Sequence, residues 1–312
     1  MAKAVHNFSL RKGPIMKKIS CVLSPLFLLL WMAAVPGGEV FSQQGKSFLW
    51  KVHSEASTVY ILGSIHFLKK EDYPLSPRIE NSFEQSDYLV VEANIHDPAK
   101  MNLQSIMERA FYPPEEKIED HISQETYELL KGEADRLGVP LQFFQKQRPW
   151  YLSMALTAME LMKLGYDPSY GVDNYFLSKA SGVKKILELE SLDEQFQLLS
   201  NLSDQDQELL LALSLKDIQN TAREINKLVQ AWKAGEPNGV APIMMESLKQ
   251  DPKLVSIYGK LLDERNGRMT SKIEGYLKGK GTYFVIVGAG HLVGEKGIIG
   301  ILEKKGFRVE QL

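Results

Sequence analysis

The chain has 312 residues, with a hydrophobic share of 44%, a charged share of 24% and a formal net charge of −2. These are ordinary values for a globular protein, and they leave no basic footprint for nucleic-acid binding. The one cysteine, Cys21, lies close to the start, so the rest of the chain has no disulfide, no cysteine nucleophile and no thiolate metal site.

The first segment has the three-part plan of a secretory signal. Lys17 and Lys18 precede the apolar stretch Leu26 to Val35, and the turn residues Pro36, Gly37 and Gly38 follow. That stretch is too short to span a bilayer as a helix. We expect residues 1–42 to be a signal peptide, with Met16 an alternative start and cleavage after Ala34 or Ser42. The protein is then exported, periplasmic or extracellular, and no stable transmembrane span remains; a retained N-terminal anchor is the alternative. Cys21 precedes the apolar run instead of following it, which argues against lipidation. Residues 43–312 remain, about 270 residues, enough for one large domain with helical elaborations.

This part opens with a hairpin, Ser47 to His53 and Thr58 to Leu62, joined by Ser54-Glu55-Ala56-Ser57. The second strand stops at Gly63-Ser64-Ile65-His66. Ser76-Pro77 then reads as an N-cap followed by proline at the first helical position, with Ile79 and Phe83 at helical spacing. The run Tyr88-Leu89-Val90-Val91 ends in Glu92. Together these segments predict a βαβ unit whose two strands are parallel, with their carboxyl ends on one edge.

Between about residues 100 and 170 the pattern is helical. One helix is capped by Ser123 and runs to Leu137 before Gly138, and another runs from Trp150 to Leu164 before Gly165. Lys185 to Leu189 returns to strand character and closes at Glu190, after which Ser191 and Glu194 form a capping box. Residues 203–279 are helical, with breaks around Gly235-Glu236-Pro237 and Asp251-Pro252. A strand at Thr282 to Val287 stops at Gly288-Ala289-Gly290-His291, and a helix over about 295–305 and a strand Phe307 to Glu310 follow. The expected class is α/β: a central mixed β-sheet built from the N- and C-terminal segments, flanked by helices, with helical insertions at about 100–170 and 203–279.

The same G-x-x-H signature thus follows a β-branched apolar run twice. In sheets with parallel strands, groups just past the carboxyl ends line the ligand crevice, so His66 and His291 can converge from distant parts of the chain. Glu92 and Glu190 end strands in the same way. Imidazole and carboxylate suit a divalent metal ion such as Mn, Co, Zn or Fe. Such an ion lowers the pKa of a bound water, and a carboxylate can serve as its general base, which makes a hydrolase site.

Arg265 falls inside an apolar stripe formed by Leu254, Tyr258, Leu261 and Met269. A guanidinium there needs a carboxylate partner or a polar cavity, so it either pairs with Glu92 or Glu190 or steadies an oxyanion. Asn266 is a weaker companion. His53, His96 and His121 read as structural or solvated. Gly288-x-Gly290, Gly294 and Glu310 imitate a dinucleotide fingerprint, but the third glycine is one residue late.

As an ordered set, several short stretches resemble the TraB/PrgY/GumN/Tiki family, in its GumN-like bacterial branch. They are Leu49-Trp50-Lys51-Val52, Val59 to His66, Leu89 to Glu92, Arg148-Pro149-Trp150, Gly171-Val172-Asp173, Leu189-Glu190 with Gln195, Arg265-Asn266, and Val287 to Leu292. The first motif has serine where the family often shows threonine, which keeps the hydroxyl. The resemblance implies a metal-dependent protease-like domain, distantly similar to the ChaN and erythromycin-esterase folds. His66, His291 and Glu92 match the family's active centre, with Glu190 and Arg265 in support.

These readings converge on an exported metalloprotease-like hydrolase with a peptide or protein substrate. His66, His291 and Glu92 form its metal set, and Glu92, Arg265 and Glu190 its catalytic groups. The alternative is a non-catalytic periplasmic binding or regulatory protein that sequesters a peptide, a haem-like ligand or a polysaccharide-assembly partner.

Overall fold

The elements follow one another as β1 (Leu49–His53), β2 (Ser57–Ser64), α1 (Pro77–Glu84), β3 (Tyr88–Val91), α2 (Leu103–Ala110), α3 (Gln124–Leu137) and α4 (Pro149–Lys163). Next come α5 (Val172–Ala180), β4 (Lys185–Glu188), α6 (Leu192–Ser200), α7 (Asp204–Asp217), α8 (Thr221–Lys233) and α9 (Pro237–Glu246). The last are α10 (Lys253–Tyr258), α11 (Glu264–Lys278), β5 (Gly281–Gly288), α12 (Ile298–Lys304) and β6 (Val309–Gln311). This computed structural model describes residues 45–97, 102–246 and 253–312. The expected signal peptide and the Asp251-Pro252 break lie outside the described residues. Among the described residues no helix is long and apolar enough to cross a membrane.

Local chemistry sets many of the element ends. The Ser76 hydroxyl accepts the Ile79 N–H at the start of α1, and Pro77 occupies the first helical position, where no N–H partner is needed. Ser123 caps α3, and Gly138 ends that helix at φ 65°, a left-handed conformation that costs glycine nothing. Ser191 and Glu194 cap α6 reciprocally, satisfying two otherwise orphaned N–H groups.

The strands form one sheet in the order β4-β3-β5-β2-β1-β6. Strands β4, β3, β5 and β2 run parallel, whereas β1 is antiparallel to both β2 and β6. The fold is therefore mixed α/β, with its sheet built from both ends of the sequence and helices around it. Strands β2 and β3 are parallel, as the βαβ pattern requires, but they are not neighbours. Strand β5 lies between them, supplied from nearly two hundred residues further along the chain.

That insertion explains the composition of the central strands. Ile61, Leu62, Phe284, Val285 and Ile286 are all fully buried, because helices cover both faces of a parallel sheet. Each such side chain contributes roughly 1.5–3 kcal/mol relative to exposure. Rings from three elements meet over this sheet: Phe83 and Phe176 pack 4.9 Å apart, and Phe284 lies 5.6 and 5.0 Å from them.

In the β2–β5 register Gly63 opposes Val287 and Ser64 opposes Gly288, so the two G-x-x-H turns leave the sheet side by side. Two close approaches hold them there. A Cβ on Gly63 would lie 2.4 Å from the Phe48 ring and 3.2 Å from the Ala289 backbone. A Cβ on Gly171 would lie 2.2 Å from the His66 carbonyl oxygen, so only glycine lets the start of α5 press against the first motif. The buried Trp232 indole N–H of α8 donates to the Gly63 carbonyl at 2.6 Å, fixing the turn from a third side.

Candidate active site

His66, Glu92, Glu190, Arg265 and His291 are brought together at the carboxyl edge of the parallel strands. His66 follows β2, Glu92 follows β3, Glu190 follows β4 and His291 follows β5. Arg265 reaches them from the first turn of α11. A single wide turn, Gly259–Asp263, with i to i+5 pairing, joins α10 to α11 and shifts the helical phase just before that arginine.

The two histidines have different supports. His66 Nδ1 lies 2.8 Å from Asp173 Oδ2, and the Ser64 hydroxyl donates to Asp173 Oδ1 at 3.0 Å. The Asp173 charge pushes the His66 imidazole up to about 9, against the smaller opposing effect of desolvation. Burial alone would raise the Asp173 carboxyl, but His66 and Ser64 hold it below its ordinary value. His291, buried at 4% exposure, has Nδ1 2.6 Å from Asn266 Oδ1, and the Asn266 amide donates onward to the Lys296 carbonyl at 2.9 Å. That onward bond identifies Oδ1 as an acceptor, so His291 carries its proton on Nδ1 and leaves Nε2 as a lone-pair donor. Burial pushes the His291 imidazole below its ordinary value, although Glu92 beside it pulls the other way.

Glu92 occupies the centre. Oε1 accepts the Gly288 N–H at 2.6 Å and lies 3.5 Å from His291 Nε2. Oε2 accepts from Gln195 and from Arg265, each at 3.2 Å. Burial would raise this carboxyl, yet the neighbouring His291, His66 and Arg265 charges and the Gly288 N–H hold it below its ordinary value. Glu92 is therefore held in its ionised form, which makes it a weak base.

The geometry also bears on the two roles open to Arg265. Nε donates to Glu190 Oε2 at 2.9 Å, Nη2 lies 2.8 Å from the same oxygen and 3.2 Å from Glu92 Oε2, and Nη1 donates to the Leu261 carbonyl. Its donors are directed at carboxylates, which supports the ion-pair role over the oxyanion role. Glu190 Oε1 is buried without a hydrogen bond, and Arg268 Nη2 stands 3.5 Å away.

Glu92 Oε1, the Cδ2 edge of the His291 ring and His66 Nε2 surround Gly288. A Cβ built there would lie 3.4 Å from Glu92 Oε1, 3.5 Å from the His291 ring and 3.9 Å from His66 Nε2. The glycine leaves open the space between them. Two donors about 2.1 Å from one tetrahedral ion stand roughly 3.4 Å apart, close to the 3.5 Å between His291 Nε2 and Glu92 Oε1. That pair has the spacing of two ligands of one cation, and His66 Nε2 is the nearest further donor on the same side of Gly288. Among the described residues no group of three or more His, Cys, Asp or Glu side chains is placed to hold a metal ion.

The sequence model of the TraB/PrgY/gumN family matches residues 48–311. The chain belongs to the TraB/PrgY/gumN family. Among similar TraB/PrgY/gumN proteins, the uncharacterized protein YbaP of Escherichia coli (strain K12) is 29% identical over 239 residues, covering 76% of this chain and 84% of YbaP. The Metalloprotease TIKI homolog of Amphimedon queenslandica is 22% identical over 85% of this chain, and Metalloprotease TIKI2 of Xenopus tropicalis is 22% identical over 85%. This chain spans 61% and 59% of those two longer proteins. No solved structure matches it.

Asp173 and Asn266 are the two functional residues that sequence reasoning under-weighted. Asp173 sits in the first turn of a helix, where an acidic residue ordinarily complements the helix dipole. Its signal was the Gly171-Val172-Asp173 stretch, whose glycine admits close packing against His66. The other histidines lie outside the donor set: His53 is exposed, His96 Nε2 is 2.8 Å from Asn174, and His121 stacks on Tyr112 and pairs with Glu116. The dinucleotide-like glycines do not open a helix. After Gly288 comes one short turn, and α12 starts only at Ile298, so no helix N-terminus faces the strand end for a phosphate.

Proposed function

We propose that this protein is an exported, divalent-metal-dependent hydrolase that cleaves peptide bonds. The observation that carries the reading is the convergence of His66 Nε2, the His291 ring and Glu92 Oε1 around Gly288, with His291 Nε2 3.5 Å from that carboxylate oxygen. Membership of a family with TIKI metalloprotease relatives supports the reaction class. The leader pattern of residues 1–42 supports export.

A divalent cation held there supplies Lewis-acid polarisation of a carbonyl and an activated water near neutral pH. His66 and His291 present Nε2 while Asp173 and Asn266 fix their Nδ1 atoms, so both rings are oriented before any ligand arrives. Glu92 contributes a permanent negative charge. Arg265 keeps Glu92 and Glu190 from repelling each other and so fixes the acidic floor of the site. Binding without turnover is the competing reading, favoured by the roomy apolar cavity described next.

The test is metal content by mass spectrometry of purified wild type, His66→Ala and His291→Ala, alongside hydrolysis of a peptide library after loading with Mn, Co, Zn or Fe. We expect each variant to lose the metal and the turnover together. Unchanged occupancy in both variants overturns the assignment, and a metal-replete wild type that cleaves nothing leaves the binding reading in its place.

A further inference from the structure

The donor set forms the floor of a cavity of about 550 Å³, within the roughly 300–1,000 Å³ typical of small-ligand sites. Above the floor its chemistry changes. Its walls there are Met154 of α4, Phe196 and Leu199 of α6, Tyr258 of α10, and Leu261 and Leu262 of the wide turn. Leu199, Tyr258 and Leu261 also pack against the buried cluster Leu202, Leu254 and Ile257, so this part of the lining is backed by core and held in shape. Met154, 45% exposed, and Ile95, 38% exposed, line the same cavity where it meets water.

Charge complementarity decides the occupant. The charged groups of the floor are matched to one another: Arg265 with Glu92 and Glu190, Arg268 with Glu190, and His66 with Asp173. Apart from the Tyr258 hydroxyl these walls are apolar, and none of their residues is an acid or base that could pair with a charged side chain, so a charge moved there from water is strongly disfavoured.

Resting on the hydrolase reading above, we propose that the cavity selects a peptide segment with a bulky apolar side chain, such as Leu, Met or Phe, next to the bond presented to His66, His291 and Glu92. The side chain lies between α6 and the wide turn. The peptide backbone passes over the polar floor, and Met154 and Ile95 cover its outer side.

The test uses acetylated tetrapeptide amides Ala-X-Ala-Ala with X as Leu, Met, Phe, Gly, Asp or Lys. Binding is measured by calorimetry on chelator-treated wild type and on Glu92→Gln, and cleavage is measured separately on metal-loaded wild type. The Leu, Met and Phe peptides are expected to bind at least about tenfold more tightly than those with Gly, Asp or Lys, on the scale by which apolar pockets discriminate. Met154→Lys, at an exposed position that tolerates a charge, should reduce that preference and improve binding of the Asp peptide. Equal binding of all six peptides, or cleavage indifferent to X, overturns the pocket assignment while leaving the hydrolase reading intact. Selective binding without cleavage under any metal removes the hydrolase reading and keeps the pocket. Neither binding nor cleavage removes both.

Discussion

Replacing Arg265 by methionine tests the charge balance at the centre of the site. Its guanidinium is 13% exposed, and it faces Glu92 at 3.2 Å and Glu190 at 2.8 Å, carboxylates that are 10% and 4% exposed. At an effective dielectric near 20, each attraction is worth roughly 5–6 kcal/mol before desolvation is subtracted. Methionine preserves most of the stem's packing but leaves two neighbouring carboxylates under-compensated. Arg268, 3.5 Å from Glu190 and half in solvent, offsets only part of the loss. Breaking a buried pair in this way costs about 3–5 kcal/mol, which for a body of this size lowers the melting temperature by roughly 6–20 °C. The assay is equilibrium denaturation of chelator-treated protein, so that metal loss does not contribute. Adding Glu92→Gln and Glu190→Gln to the Arg265→Met chain should restore much of the deficit, because the unpaired charges are then gone. A loss below about 1 kcal/mol would place Arg265 with ordinary surface ion pairs and refute the argument.

Asn266→Ala removes the partner that fixes the His291 ring, and zinc or manganese affinity measured by calorimetry should fall about 10–100-fold, as for other lost supports of metal-binding histidines; an unchanged affinity would remove Asn266 from the site. Asp173 raises His66 from 6.5 to about 9, so the folded chain binds that proton more tightly than the unfolded one does. The resulting stability is complete below pH 6.5 and disappears as pH rises through 9. Melting of chelator-treated wild type should decline across that window, and Asp173→Asn should lack the decline; identical pH profiles for the two proteins contradict the pairing. Gly288→Ala places a methyl 3.4–3.9 Å from the three donor groups, at a residue with φ −50° that alanine adopts freely. The metal-free variant should melt within a few degrees of wild type while its metal affinity drops at least tenfold. Full metal uptake would show that the ion does not occupy that space.

Much of this architecture could be read from local chemistry. The Ser76-Pro77 cap, the Ser123 to Gly138 helix and the Ser191/Glu194 box each satisfy backbone groups within a few residues, so their signals are complete in short windows. The two G-x-x-H turns were legible for a related reason: an apolar strand that stops at glycine and presents a histidine is a local pattern, and its repetition pointed to convergence. Pairing was less accessible. That β5 separates β2 from β3 depends on which buried strand packs best between two others, a long-range choice that side-chain alternation does not encode. Asp173 was obscured because its role depends on the Gly171 contact with the His66 backbone, a relation between segments a hundred residues apart. Arg265 lay at the boundary. Its place on an apolar stripe signalled a buried partner, but only the meeting of strands β3 and β4 identified both Glu92 and Glu190.

The side-by-side pairing of β2 and β5 ties assembly of the candidate site to the last strands of the sheet. A polypeptide ending before Gly281 has the first histidine and both floor glutamates, yet it lacks the strand that holds its sheet together and the backbone N–H that grips Glu92. A C-terminally clipped molecule therefore cannot assemble the candidate site, because His291 and the Gly288 N–H are both missing from it.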